Sequence, residues 1–238
     1  MCGYVKRTIF VFLVMVSLWA VAEDVTLKTE DGVTLSCDYL LPGDDMGKLP
    51  AVVLIHQGGS HRGEWGDFPN QLLQKGYAVF AYDVRGHGLS DKVEDIYSLF
   101  NDPNQAPKDL LAVLAFLRKQ PRIDATRLAV VGSSIGSNLA CVASSEMGIK
   151  TAVAMSGKTS AVYNLAGKKD LKLASIFHIS SELDGGGKRA VWARQLFDST
   201  AEPRQLQIVK GSQAHGVSIF NDEPDLPSQI IKWLADTL

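Results

Sequence analysis

The chain has little charge imbalance, and this absence narrows its possible partners. Its 24 Lys and Arg residues nearly balance 26 Asp and Glu residues, and neither sign forms a block. No basic stripe for nucleic-acid phosphates or for an anionic membrane surface is therefore expected, and a small-molecule partner is favoured. The sequence also lacks a cluster of His, Cys, Asp and Glu at metal-ligand spacing, so neither a metal nor a cofactor is implied.

Long hydrophobic runs are scarce, and the longest lies at the N-terminus. Lys6 and Arg7 precede an apolar stretch at residues 9–19, which is followed by small residues and then by Glu23 and Asp24. This stretch is too short to span a bilayer comfortably, and the layout is typical of a cleavable signal. We predict a signal peptide over residues 1–22 and an exported chain, periplasmic or secreted, without stable membrane insertion after cleavage. An uncleaved anchor is the alternative.

Cysteine is also rare, with 3 in the chain. Cys2 would be removed with the signal, which leaves Cys37 and Cys141. Export permits a disulfide between these two residues, whereas two buried free thiols are the alternative. Neither cysteine is expected to act as a nucleophile or as a metal ligand.

The remaining composition is that of an ordinary globular protein, with 46% hydrophobic and 21% charged residues among 238. We find no internal repeat, linker or low-complexity tract, so residues 23–238 are predicted to form a single domain. A β-hairpin is predicted over 25–41, and residues 91–107 are predicted to form a surface loop. Short apolar runs that indicate buried strands occupy 51–55, 78–82, 128–131, 151–155, 175–179 and 206–209.

Stretches with helical periodicity lie between several of these runs. They cover residues 68–75, 109–119, 135–147, 188–198 and 228–238. Strands that alternate with helices indicate a doubly wound, mostly parallel α/β sheet with helices on both faces. The N-terminal hairpin adds an antiparallel start to this sheet.

The most informative motif is Gly132-Ser133-Ser134-Ile135-Gly136, which follows one predicted strand and opens a predicted helix. The G-x-S-x-G pattern in this context is typical of a nucleophile elbow, with Ser134 as the candidate nucleophile. The two glycines would let backbone segments approach closely around a strained turn. A plain turn is the alternative interpretation of the motif alone.

Other reactive side chains also follow predicted parallel strands. They lie at 56–59 after the first, 83–88 after the second, 181–184 after the fifth and 214–216 after the last. Because the carboxyl ends of parallel strands meet at one edge of a sheet, these groups are expected to gather there. Ser134, Asp184 and His215 occur in the chain order Ser, Asp, His.

With these motifs, the chain resembles the α/β-hydrolase superfamily over essentially all of residues 23–238. It is most similar to compact members, the dienelactone-hydrolase-like proteins and small serine esterases. Only residues 157–174 separate the fourth and fifth parallel strands, so no large cap domain is expected.

The resemblance implies a catalytic triad. His215 would be the base and Asp184 the carboxylate that orients it, with Glu182 as the alternative acid. The other histidines are expected elsewhere. His56 and His87 would lie in structural loops, His61 in the loop after the first parallel strand and His178 within a strand.

The resemblance also implies an oxyanion hole made of backbone N–H groups. Ile135 would supply one donor and the 56–59 loop the other, with Gly58 preferred and Gln57 as the alternative. Gln57 and Trp65 could line a substrate pocket, although Trp65 could equally be a core residue.

We therefore predict an exported serine hydrolase, most simply a carboxylesterase that cleaves small esters through an acyl-enzyme. A serine peptidase, a thioesterase or a lactonase on the same fold is the alternative. A lactonase of the dienelactone type is disfavoured because Ser134 stands where that family has cysteine. A noncatalytic binding protein on a hydrolase fold is the alternative from another class.

Overall fold

The structure is a computed structural model that describes residues 21–43 and 47–238. Apart from positions 21 and 22, the predicted signal segment lies outside the described residues, so it stays a prediction. In the described part of the chain, no helix combines the length and the apolar character needed to cross a bilayer.

Eight strands of the described residues form one sheet, in the order β1-β2-β4-β3-β5-β6-β7-β8. Only β2 runs antiparallel to its neighbours, which are β1 and β4, and every other adjacent pair is parallel. The predicted, mostly parallel sheet with an antiparallel start is confirmed. The strands are β1 (Val21–Lys28), β2 (Thr34–Leu41), β3 (Leu49–Ile55), β4 (Ala78–Tyr82), β5 (Ile123–Ser133), β6 (Thr151–Met155), β7 (Leu173–Ser181) and β8 (Thr200–Val209).

Helices cover both faces of this sheet. Alternate residues of β3 explain why, since Val53 packs into the cluster that holds α2, α3 and α4, whereas Leu54 packs with α1 and α7. A strand buried on both faces reads as a continuous apolar run, which is the pattern seen in the sequence. The helices are α1 (Phe68–Gln74), α2 (Ala106–Lys119), α3 (Ile135–Glu146), α4 (Thr159–Ala166), α5 (Lys188–Asp198), α6 (Ile219–Asp222) and α7 (Leu226–Thr237).

Three parts of the structure differ from the sequence-based expectation. Helix α4 occupies the segment between β6 and β7 that carried no predicted element, and it is too small to be a cap domain. β8 begins at Thr200, well before the apolar run at 206–209. The first residues of the strand are largely exposed, so they carry no apolar pattern that would indicate a strand. The 91–107 segment contains a 3₁₀ turn over Ile96–Phe100, and Leu99 of this turn is fully buried.

Both described cysteines are free thiols. Of the two alternatives given by the sequence, the structure therefore has two buried thiols and no disulfide between them. Cys37 lies in β2 and Cys141 in α3. Burial raises the pKa of each thiol to about 12. Each therefore stays protonated and behaves as a small core residue.

The topology brings two loops together at the carboxyl edge of the sheet. β3 lies between β4 and β5, and Ile55 at its end is in register with Gly132 of β5. The chain leaves β3 towards α1 on one face and leaves β5 towards α3 on the other. The crevice at such a switch point is where ligands bind in open α/β sheets.

Candidate active site

The predicted nucleophile Ser134 lies on the sharp turn between β5 and α3. Its backbone has φ 51° and ψ −104°, in a region that side-chain-bearing residues rarely adopt. The Ser134 N–H donates to the Met155 carbonyl at 2.8 Å, which ties the turn to the end of β6. A strained conformation held by its surroundings in this way is typical of functional turns.

Two glycines make this turn sterically possible. A Cβ on Gly132 would collide with the carbonyl group of Gly136. A Cβ on Gly136 would collide with the Ile55 carbonyl oxygen and would lie 2.7 Å from the Ile55 Cβ. The elbow is therefore packed directly against the end of β3, and larger residues at either glycine would push the two segments apart.

Asp184 and His215 form a hydrogen-bonded pair at the same edge of the sheet. His215 Nδ1 lies 2.6 Å from Asp184 Oδ2. The Asp184 side chain is 8% exposed and the His215 side chain 33%. The Nδ1–H group donates to the Asp184 carboxylate, which leaves Nε2 as the basic nitrogen.

The loop that carries His215 packs onto the elbow. The Val217 N–H donates to Ser133 Oγ at 3.1 Å. A Cβ on Gly216 would collide with Ser133 Oγ and with the Gln57 side chain, so this loop approaches the elbow as closely as a residue without a side chain allows. Within residues 21–43 and 47–238, the Ser134 hydroxyl makes no hydrogen bond to His215. Such contacts are often long in free enzymes and shorten when substrate binds.

The alternative acid, Glu182, is engaged elsewhere. Its carboxylate accepts from Lys210 Nζ and from the Gly211 N–H, each at 2.9 Å. These contacts, the backbone one first, lower the pKa of Glu182. Its side chain is 38% exposed and has no contact with His215.

The rival histidines serve other purposes. His56 Nε2 accepts from the Val84 N–H at 2.9 Å and its Nδ1 donates to the Gln57 carbonyl at 2.7 Å, while burial lowers its pKa to about 4. His178 donates from Nε2 to Thr200 Oγ1 at 2.9 Å, and burial lowers its pKa to about 3. The His87 ring packs beside the His56 ring, and His61 is an exposed loop residue. In the part of the chain that is described, no three His, Cys, Asp or Glu side chains are grouped to hold a metal.

The backbone N–H groups of the 56–59 loop are not equivalent. The Gln57 N–H donates to Glu64 Oε1 at 2.9 Å. Among the described residues, the N–H groups of Gly58 and Ile135 have no acceptor. Burial raises the pKa of Glu64, although its hydrogen bonds oppose this shift.

Gln57 and Trp65, the predicted pocket residues, both line a cavity of about 320 Å³ between the 56–59 loop and the segment after His215. Trp65 is only 2% exposed, and its ring packs against Phe68 and Phe220. The residue therefore belongs to the core and forms one wall of the cavity at the same time.

One residue of this edge escaped the sequence analysis. Ser156 follows β6 directly, as Ser134 follows β5, and its Oγ lies 3.0 Å from Asp184 Oδ2. The rule that located the other candidates, a polar side chain immediately after a buried strand, also applies to Ser156 and could have found it.

Part of the chain is similar in sequence to known proteins. Residues 48–164 match the family described as serine aminopeptidase, S33. This stretch contains the 56–59 loop and the elbow but ends before Asp184 and His215. An uncharacterised protein of Mycobacterium tuberculosis is 36% identical over 94 residues, which are 40% of this chain and 24% of that protein. The aligned part thus spans about a quarter of the length of that relative.

Solved structures resemble the whole described domain. The Pyrococcus furiosus esterase Pf2001 aligns with a TM-score of 0.71 over 91% of this chain and 93% of its own, at 21% identity. The Porphyromonas gingivalis dipeptidyl peptidase 4 aligns with a TM-score of 0.71 over 91% of this chain and 35% of its own, at 18% identity. At these identities the likeness concerns the fold.

Proposed function

We propose that this chain is a member of the α/β-hydrolase superfamily and a serine hydrolase that cleaves carboxylic esters through an acyl-enzyme. The observation that carries the proposal is the 2.6 Å contact between Asp184 Oδ2 and His215 Nδ1, on a loop that hydrogen-bonds to Ser133, the residue before the elbow serine. A base, its orienting acid and a strained serine at one sheet edge are the parts that acyl transfer needs.

In this mechanism Ser134 Oγ attacks the acyl carbon while His215 Nε2 takes its proton. The carbonyl π bond opens and its electron pair moves to oxygen, which gives a tetrahedral intermediate. The imidazolium, stabilised by Asp184, then gives the proton to the departing alcohol as the ester C–O bond breaks. Water repeats the sequence on the acyl-enzyme and releases the acid.

The oxyanion would be held by the N–H groups of Ile135 and Gly58. Because the Gln57 N–H already donates to Glu64, the geometry favours Gly58 over Gln57 as the second donor. A correctly placed donor of this kind contributes roughly 3 kcal/mol to transition-state stabilisation.

Asp184 is the better candidate for the acid than Glu182. Asp184 is buried and contacts His215, whereas the carboxylate of Glu182 is exposed and binds Lys210. A carboxylate screened from water acts more strongly on an adjacent imidazolium than an exposed one does.

A peptidase that uses the same residues is the second candidate, favoured by the S33 match and by the likeness to a dipeptidyl peptidase. A thioesterase or lactonase would share the acyl-enzyme step. The strained conformation of Ser134 and the part-buried Asp184–His215 contact argue against a noncatalytic binding protein. We also propose export directed by residues 1–22, which N-terminal mass analysis of the protein from the native host would test by a mature start near Glu23.

The test of the catalytic proposal is labelling of the folded protein with a fluorophosphonate probe, followed by tandem mass analysis. Ser134→Ala should abolish labelling, whereas Ser145→Ala, the same change near the far end of α3, should leave the label on Ser134. Hydrolysis of p-nitrophenyl esters would then be compared with that of acyl thioesters and aminoacyl anilides. Turnover of anilides alone would favour the peptidase, and no labelling of folded protein would favour the noncatalytic alternative.

A further inference from the structure

We infer that Ser156 is a positioning residue that fixes the acid and the histidine loop relative to each other. The inference rests on the proposed function, because it assigns Ser156 a role in the same site. Ser156 does not touch the reacting atoms in this assignment. It acts through Asp184 and through the residue that follows His215.

The Ser156 hydroxyl bridges the two loops. It donates to Asp184 Oδ2 at 3.0 Å and accepts from the Gly216 N–H at 3.0 Å, and the residue is fully buried. A serine hydroxyl has one proton to donate, so both of its roles are defined here. Asp184 Oδ2 thus receives Ser156 and His215 together, and Gly216 is held beside the same oxygen.

The backbone of Ser156 is itself fixed at both polar groups. Its N–H donates to the Ile179 carbonyl at 2.9 Å, and its carbonyl accepts from Arg189 Nη1 at 2.8 Å. Its φ of 59° lies in the left-handed region, which is unfavourable for a residue with a side chain. The contacts around Ser156 hold it in this conformation, and the hydroxyl is aimed at Asp184 as a result.

The charged groups near Asp184 do not replace the Ser156 hydroxyl as a hydrogen-bond donor to its carboxylate. Arg189 of α5 is the cation that acts on Asp184, and burial lowers the pKa of this guanidinium. Asp222 of α6 accepts instead from Ser212 Oγ at 2.6 Å, and the ion pair of Glu182 with Lys210 forms at the exposed side. Among the described residues, Ser156 and His215 are the ones whose side chains donate to the carboxylate of Asp184.

Removal of the hydroxyl has two expected effects. The histidine loop loses the link that runs from the Gly216 N–H through Ser156 and keeps the direct His215–Asp184 contact, so a less firmly held base should lower kcat by about tenfold to a hundredfold with little change in KM. Asp184 also loses a neutral donor, so its charge stabilises the imidazolium of His215 more strongly. The acid limb of the kcat/KM profile should therefore move to higher pH.

Two variants and one matched control test the inference. Ser156→Ala removes the hydroxyl, and Ser156→Gly removes it while favouring the positive φ, so the fold is retained in at least the second variant. Ser175 is the control because it is also a buried serine with positive φ, at 54°, and its Oγ donates to Thr151 Oγ1 at 2.9 Å near the start of β7. Ser175→Ala should lower stability as much as Ser156→Ala but leave the pH profile unchanged.

The measurements are kcat, KM and the pH profile of ester hydrolysis, together with fluorophosphonate labelling of Ser134. A lower kcat and a shifted acid limb in both Ser156 variants, absent in the Ser175 control, would support the inference. If folded Ser156→Gly keeps the wild-type kcat and acid limb, the positioning role is refuted while the proposed function stands. If the wild-type protein itself is not labelled, the proposed function fails, and the inference fails with it.

Discussion

Replacement of Asp184 by asparagine is the sharpest test of the triad, because the same change is available two residues away. Asp184 Oδ2 accepts from both Ser156 and His215. An asparagine can place its amide oxygen at that position and keep both contacts, so the substitution removes the negative charge with little change of shape. Glu182→Gln makes the same chemical change on an exposed side chain that binds Lys210.

The expected size follows from the geometry. Two opposite charges with centres about 4 Å apart interact by about 4 kcal/mol at the effective dielectric constant of about 20 that suits protein sites. Loss of this interaction with the imidazolium should lower kcat about a thousandfold. If the amide turns its nitrogen towards His215 instead, the imidazole takes the wrong tautomer and the loss approaches about ten-thousandfold. Glu182→Gln should stay near wild type.

The assay is steady-state hydrolysis of a p-nitrophenyl ester by wild type and both variants, with circular dichroism to check that each is folded. The prediction concerns kcat, since Asp184 acts on a charge that develops only in the transition state. A thousandfold loss in Glu182→Gln combined with near-normal activity in Asp184→Asn would refute the reasoning. The role of the acid would then pass to Glu182.

Further predictions address the nucleophile, the elbow and the pH dependence of stability. Ser134→Ala should abolish turnover of every substrate while the thermal midpoint stays within a few degrees, measured by calorimetry on the same sample. Gly136→Ala should lower the free energy of unfolding by about 3 kcal/mol or more, because the new Cβ would collide with the backbone of Ile55. Urea unfolding measures this loss, and comparison with Ala140→Gly in the same helix separates the clash from helix propensity. Buried His178 has a pKa near 3 in the fold against its ordinary 6.5, so the unfolded chain binds the extra proton and stability is lost as the pH falls below 6.5. At pH 5 this histidine should lower the free energy of unfolding by about 2 kcal/mol relative to pH 8. In urea unfolding, His178→Gln should remove that share of the loss of stability between the two pH values. An equal loss in wild type and variant would contradict the prediction.

Much of the fold could be predicted because buried parallel strands have a clear sequence pattern. The runs at 78–82 and 151–155 coincide with β4 and β6. The pattern failed where burial is partial, as in β8, whose first half is largely exposed and includes Pro203. It also failed for α4, a helix of 8 residues that is too short for a strong period.

The candidate site could be predicted to the level of residue types and order but not of contacts. The sequence placed Ser134, Asp184 and His215 after three different predicted strands, and their catalytic roles stay predictions. It left open whether Asp184 or Glu182 is the acid and whether Gly58 or Gln57 is the donor. These alternatives involve neighbours in the chain, which local patterns cannot separate.

Local sequence patterns indicate the alternation of strands and helices, the small residues of the elbow and the reactive side chains at strand ends. These depend on local periodicity and on residues close in the chain. Three contacts became visible only in the folded chain: Asp184 rather than Glu182 contacts His215, Glu64 accepts from the Gln57 N–H, and Ser156 bridges two loops. The physical reason is that a hydrogen bond needs its two atoms about 3 Å apart. Packing between distant segments sets that distance, and spacing along the chain does not.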